Sequence, residues 1–243
     1  MGIYSQICNA LARSVDLLYP RKCLVCKSRI DSTQNTLCIE CWSKLVFITE
    51  TSCQRCGKLF EYQGILCVCK FELKKMYAAK MVATLHYNEI AMRMISQFKY
   101  YNHTEFTKLF GYLLWLKVKD WILEADIITP IPLHPNRLKK RGYNQAALLA
   151  VQLATKSKLQ LKTNSLTRTV DNKPQMGMNY YQRVKNVHNI FMLEPKHRQE
   201  FSGKSVVLVD DVITTGATSN EAARVLIQDG NAAKVIVVSL ART

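Results

Sequence analysis

Val206-Val-Leu-Val-Asp-Asp-Val-Ile-Thr-Thr-Gly-Ala-Thr218 reads as a hydrophobic strand, two acids and a hydroxyl-rich turn that opens a helix. The run 206–209 is β-branched or leucine without polar alternation, as expected for a strand buried on both faces of a parallel sheet. In such sheets ligands bind beyond the carboxyl ends of the strands, which is where this turn falls. Thr214, Thr215 and Thr218 offer hydroxyl donors, and Gly216 lets the backbone approach closely. The free N–H groups from Ala217 onward open the helix, so the turn suits a phosphate monoester. Asp210 and Asp211, at the strand tip, suit sugar hydroxyls or a hydrated Mg²⁺. Thr-Thr-Gly alone would signify only a helix N-cap, since those residues favour that position anyway. The whole string is far more specific.

Outward from this stretch the same alternation continues. Residues 81–85, 127–131 and 235–240 are short apolar runs expected as strands, while 88–98, 105–119, 144–154 and 219–228 carry helical spacing. Strand, helix, strand in that order predicts an α/β fold, a parallel sheet flanked by helices. Asn144 is placed to cap the helix that follows it. Residues 167–186 hold Pro174, Gly177, Asn179 and two adjacent tyrosines with poor helical periodicity, and read as a loop.

The 243 residues are 48% hydrophobic and 21% charged, ordinary globular composition that excludes disordered and fibrous classes. Lys plus Arg number 34 against 18 acids, a net +16, which favours polyanionic partners: nucleic acid, phosphorylated metabolites or anionic membrane. Most of the surplus is local. Between residues 132 and 209 there are 14 basic residues and three acids, a net +11 beside the proposed phosphate turn. The longest weakly charged stretches fall far short of the roughly 18 apolar residues a membrane span needs, and the N-terminus does not read as a secretory signal. A cytoplasmic protein without a membrane span is expected. His134, His188 and His197 lack metal-ligand spacing and are expected to be structural.

All nine cysteines lie in the first 69 residues, which marks a domain boundary: a cysteine-rich domain over 1–72 and an α/β domain over 73–243. Cys8 sits on a probable amphipathic helix and is expected to pack. The other eight are paired as Cys23/Cys26, Cys38/Cys41, Cys53/Cys56 and Cys67/Cys69. A C-x2-C pair on a tight turn aims two thiolates at one point, and two pairs close a tetrahedral soft-ligand site suited to Zn²⁺. One or two structural zinc ions would supply folding energy that a segment of this size lacks. Alternatives at this level are a disulfide framework, interleaved ligand grouping, and redox chemistry by one pair. Cys67-Val-Cys69 is one residue short of the usual knuckle, which bears on the second zinc.

The string 206–218 resembles the binding signature of type I phosphoribosyltransferases for phosphoribosyl pyrophosphate (PRPP). More narrowly, the chain resembles the ComF (ComFC) family. The resemblance runs over nearly the whole chain: the knuckles after Leu18-Tyr-Pro20, Pro130-Ile-Pro-Leu-His-Pro135, Arg137, Arg141-Gly-Tyr-Asn-Gln145, Arg168, Pro174-Gln175, Arg183-Val-Lys-Asn186 and Val209-Asp-Asp-Val-Ile-Thr-Thr-Gly-Ala-Thr218. It implies a phosphoribosyltransferase-like domain behind a double zinc ribbon.

The resemblance implies further that Mg²⁺-PRPP lies with its 5′-phosphate on Thr214, Thr215, Gly216, Ala217 and Thr218 and its ribose on Asp210 and Asp211. Its pyrophosphate would lie near Arg137 and Arg141, with Gln145 in reach. Arg168, Gln175 and Arg183 belong to a hood that closes over the ligand, where Tyr180 and Tyr181 stack a base or pack the loop down. It implies a pentosyltransferase using PRPP, and a role in natural transformation with single-stranded DNA and other DNA-uptake proteins as partners. A phosphoribosyltransferase of nucleotide metabolism, acting on a nitrogen acceptor with no DNA role, is the alternative.

Overall fold

The computed structural model describes residues 21–30, 36–49, 52–53, 55–58, 67, 75–100, 104–171 and 187–243. The chain divides into two compact units, 1–45 and 46–243. The junction read from cysteine content lies near residue 72 instead. The difference has a physical basis in hydrogen bonds that tie residues just before and within the second cysteine knuckle to the sheet. Ile48 N–H donates to Thr84 O at 2.9 Å and Met81 N–H donates to Arg55 O at 2.7 Å.

In the first unit, Cys38 caps the short helix α1 (Ile39–Ser43), its Sγ accepting the Cys41 N–H at 3.4 Å. Lys22 and Arg29 pair as an antiparallel bridge around the Cys23/Cys26 turn. Among the described residues little else but Cys23, Val25, Leu37 and Cys41 is deeply buried before Leu45.

In the second unit the elements follow in order β1 (Lys80–His86), α2 (Glu89–Tyr100), α3 (Phe106–Val118), β2 (Ile127–Pro130), α4 (Pro135–Arg141), α5 (Gln145–Ser157) and β3 (Gln160–Leu161). After these come β4 (Leu166–Arg168), β5 (Phe191–Leu193), α6 (Arg198–Phe201), β6 (Ser205–Ile213), α7 (Ala217–Gln228) and β7 (Lys234–Arg242). Five strands form one sheet in the order β1-β7-β6-β2-β3, every pairing parallel. Val206, Val207, Leu208 and Val209 of β6 and Val235, Val237, Val238 and Leu240 of β7 are fully buried, as the unbroken apolar runs require. Phe98, Phe106 and Phe110 pack edge-on and stacked where α2 meets α3. Phe201, Ala222, Val225 and Leu226 belong to a second apolar cluster that includes Leu193.

Three details differ from the sequence reading. Strand β6 runs on through both acids to Ile213, because β7 continues beside it and pairs Asp210 with Ser239 and Val212 with Ala241. Residues 135–141, which fall between the expected strand 127–131 and the expected helix 144–154, form α4, with Pro135 at its first turn and His134 Nδ1 accepting the Asn136 N–H. At the start of the expected hood, Leu166–Arg168 pairs antiparallel with Phe191–Leu193 as a two-stranded ribbon, so the segment is anchored at its base.

Candidate phosphate and sugar site

Beyond the carboxyl ends of β2 and β6 lies a cleft of about 330 Å³. Arg137, Arg141, Gln145, Arg168, Asp210, Asp211, Thr214, Gly216 and Thr218 all line it, so residues of α4, α5, β4, β6, the turn and α7 meet in one cleft. Thr215 and Ala217 complete the turn, the Thr215 Oγ1 accepting the Ala217 N–H at 3.3 Å. Gly216 adopts φ +81° to swing the chain from β6 into α7, a left-handed conformation that L side chains rarely accept. The first N–H groups of α7 have no intrahelical acceptor and face the same turn. Asn220 pins the helix in place, donating to Lys75 O and accepting from the N–H groups of Tyr77 and Ala78. Gln175, Arg183, Tyr180 and Tyr181 lie outside the described residues, as do Cys8 and Cys69.

The two acids differ in role. Asp211 Oδ2 pairs with Lys99 Nζ at 2.9 Å, and its Oδ1 accepts the Val212 N–H. Asp210 accepts from Ser219 Oγ at 3.0 Å and from the Asp211 N–H at 2.8 Å. Burial, and then the neighbouring Asp211 charge, push Asp210 up to about 7. Burial works against the charge of Lys99, but Asp211 and Asp210 outweigh it and hold the ammonium above its ordinary pKa. Hard carboxylate oxygens side by side at a strand end fit a hydrated divalent cation such as Mg²⁺.

Arg141 donates to Gln145 Oε1 at 3.1 Å and to the Tyr100 hydroxyl at 3.3 Å, with its guanidinium 5.1 Å from the centre of the Tyr100 ring. Gln145 is buried against Phe98 O, so it braces Arg141 from within. Asn144 caps α5, accepting from Ala146 and Ala147 and donating to Ile131 O. That capping ties α5 to the segment after β2. Arg137 Nε donates to Asp171 Oδ1 at 3.0 Å, and Asn136 donates to the other oxygen. Partial desolvation opposes these bonds, yet they hold Asp171 below the usual carboxylate range. Burial, and then the nearby Arg137 charge, lower Arg168 to about 10, which leaves it cationic at neutral pH. Four cations therefore surround two acids, an arrangement suited to a ligand with several phosphate charges and one sugar.

The sequence reading missed Lys99, Tyr100 and Ser219. Lys99 stands near the end of an amphipathic helix whose inward face is Ile90, Ala91, Met94, Ile95 and Phe98, so locally it reads as a solvated basic residue in a last turn. Ser219 carries the only local signal, being one turn into the helix that the threonines open.

The cysteines group sequentially. Cys23, Cys26, Cys38 and Cys41 bring their sulfurs within 4.8 Å of one another, and Cys53, Cys56 and Cys67 do the same. Cys26 and Cys38 stand 3.5 Å apart, as do Cys56 and Cys67. The described cysteines stand as free thiols, with no disulfide among them. All-sulfur donor sets this compact fit tetrahedral Zn²⁺. The Ser28 hydroxyl and backbone pull Cys26 down to about 6, toward the thiolate that a metal needs.

The family profile described as "Double zinc ribbon domain" matches residues 14–70, and that described as "Phosphoribosyl transferase domain" matches residues 146–243. Competence protein F of Haemophilus influenzae is 31% identical over 210 residues, covering 84% of this chain and 90% of its own length. The chain belongs to the ComF family. A second relative is the DNA utilization protein YhgH of Escherichia coli K12, 28% identical over 93% of this chain and 99% of its own. Competence protein ComFC of Bacillus subtilis is 28% identical over 91% and 95%. ComF membership and the zinc ribbon match agree with the clustered thiols, and the phosphoribosyltransferase match spans the turn 214–218 and both acids. Among the described residues, no helix is long and apolar enough to cross a membrane.

Proposed function

We propose that the cleft binds PRPP or a closely related phosphorylated ligand, and that the chain uses this site while handling single-stranded DNA in DNA uptake. One observation carries the reading: the turn 214–218, the acids Asp210 and Asp211, and the cations Arg137, Arg141, Arg168 and Lys99 surround one cleft. A phosphate monoester sits on the turn, the ribose hydroxyls on Asp210 and Asp211, and the pyrophosphate against Arg137 and Arg141. Mg²⁺ entering with PRPP would be held by Asp210 and Asp211 and would offset pyrophosphate charge. The chemistry suited to this arrangement is displacement of pyrophosphate at the sugar C1 by a nitrogen nucleophile, the arginines drawing the charge that develops on the leaving group. The competence and DNA utilization relatives and the basic segment 132–209 support the DNA role.

Calorimetric titration of the zinc-loaded chain with PRPP, with and without Mg²⁺ and after saturation with single-stranded DNA, tests both halves. Mg²⁺-dependent PRPP binding that survives DNA is expected. Asp210→Asn combined with Asp211→Asn abolishes that binding and leaves DNA affinity equal or stronger; weaker DNA binding counts against separate roles for the acids. Raising salt from about 50 to about 200 mM cuts DNA affinity by on the order of 10³, and an affinity insensitive to salt sinks the DNA role.

A further inference from the structure

The second cysteine knuckle and the phosphate turn share one residue, Met81 on β1. On its backbone side, Met81 N–H donates to Arg55 O at 2.7 Å, inside the Cys53/Cys56 turn. Its carbonyl oxygen lies so close that a Cβ on Gly57, which has φ +72°, would stand 2.6 Å from it. On its side-chain side, Met81 Sδ and Cε would stand 3.0 and 3.3 Å from a Cβ on Gly216, the left-handed residue that turns β6 into α7. Met81 itself is 1% exposed, so the thioether has no room to move independently of either neighbour.

We infer that the Cys53/Cys56/Cys67 metal group, acting through Met81, positions the phosphate turn, so that metal loading there and binding of a phosphoribosyl ligand strengthen each other. The inference rests on the reading of residues 214–218 as the phosphate site. Zinc closing these thiolates fixes the knuckle, the knuckle fixes Met81, and Met81 sets the seat of Gly216, from which the first N–H groups of α7 take their direction. Met81 is a positioning residue: it packs against Gly216 and does not line the cleft. Coupling of this kind is reciprocal, so a ligand that holds the turn also slows loss of the metal.

The test uses the full chain and three readouts: zinc content, affinity for Mg²⁺-PRPP, and hydrogen exchange of the amides in 216–219 without ligand. Cys67→Ser is expected to lose zinc from this group, weaken PRPP binding by about tenfold and speed exchange in 216–219 by a similar factor. Met81→Ala is expected to reproduce the losses in affinity and protection while keeping its zinc. Met81→Leu, which conserves volume, restores both. Saturating PRPP slows transfer of zinc from this group in the unsubstituted chain to a chromophoric chelator. Unchanged exchange in 216–219 in both Cys67→Ser and Met81→Ala overturns the coupling. So does a loss of PRPP affinity of equal size in Cys26→Ser, which marks a general consequence of zinc loss. If the unsubstituted chain binds no PRPP, the functional reading fails, and the exchange measurement still decides the coupling by itself.

Discussion

The turns that begin at Cys23 and at Cys53 share one hydrogen-bond plan and rest on different supports. In the first, Cys23 N–H donates to Ser28 O and Lys27 N–H donates to Cys23 O, at 2.8 and 2.9 Å. In the second, Cys53 N–H donates to Lys58 O and Gly57 N–H donates to Cys53 O, both at 2.8 Å. The residue after each C-x2-C is left-handed, Lys27 at φ 65° and Gly57 at φ 72°. Lysine is tolerated at the first because that position is exposed, so the cost is only the ordinary strain of a side chain in this region, about 1 kcal/mol. Glycine is required at the second because the Met81 carbonyl fills the space a side chain would take. The first turn is closed by its own backbone bonds. The second is also bonded to β1 of the parallel sheet, and the requirement shows in a single residue.

The largest expected effect comes from exchanging those requirements. Gly57→Ala meets both the left-handed strain and a backbone oxygen that cannot move without disturbing β1, so it is expected to cost about 3 kcal/mol or more. For a unit of this size that lowers the unfolding midpoint of residues 46–243 by roughly 6 to 12 °C. Lys27→Gly relieves strain but adds freedom to the unfolded chain, and the two roughly cancel to within about 0.5 kcal/mol. Calorimetric scans of the zinc-loaded variants check this. Equal midpoints for the two substitutions would break the contrast.

A smaller effect is expected in the order of metal loss. In the first group Cys26 is exposed and Cys38 half-buried beside the buried Cys23 and Cys41, whereas none of the described thiols of the second is exposed, Cys53 and Cys56 being buried and Cys67 half-buried. Challenge with a chromophoric chelator should therefore release zinc in two phases about tenfold apart in rate, consistent with thiol reactivity following access. Cys26→Ser should remove the fast phase. If it removes the slow phase instead, the first group is the better protected one and the comparison is inverted.

The contrast also explains how much could be read in advance. Strands such as 206–209 and 235–240 were legible because burial on both faces leaves a continuous apolar run, a local signal. The passage from β6 through the turn into α7 was legible because an apolar run followed by threonines and a glycine marks a strand end and a helix start locally. The grouping of the thiols was not legible, since the spacing allowed an interleaved set as well as the sequential one in which the sulfurs come together. Lys99 was not legible, because its partner Asp211 lies more than a hundred residues away and nothing in α2 marks that lysine apart from Arg93 or other surface cations. Nor was the extension of β6 through the acids, which depends on pairing with β7 across the register Asp210 to Ser239. The attachment of the second knuckle to the sheet was hidden for the same reason: Gly57 looks like any turn glycine until Met81 is seen against it.

The smallest expected effect is electrostatic and separates charge from contact. Arg242, at the end of β7, is 4% exposed, and its positive charge favours the Cys56 thiolate against the burial that pushes this thiol up. Zinc held by three or more thiolates carries a net negative charge, so a buried cation beside it should tighten binding by a Coulomb contribution of about 1 kcal/mol at a partly screened site. Arg242→Met is then expected to weaken zinc at Cys53/Cys56/Cys67 by roughly five- to tenfold, with zinc at Cys23/Cys26/Cys38/Cys41 as the internal reference. Arg242→Lys keeps the charge while losing the planar fork, so it should recover most of the affinity if charge is what matters. Competition against a chelator of known affinity reads both. Should Arg242→Lys fall as far as Arg242→Met, the guanidinium acts through its specific contacts, and the second knuckle differs from the first in packing alone.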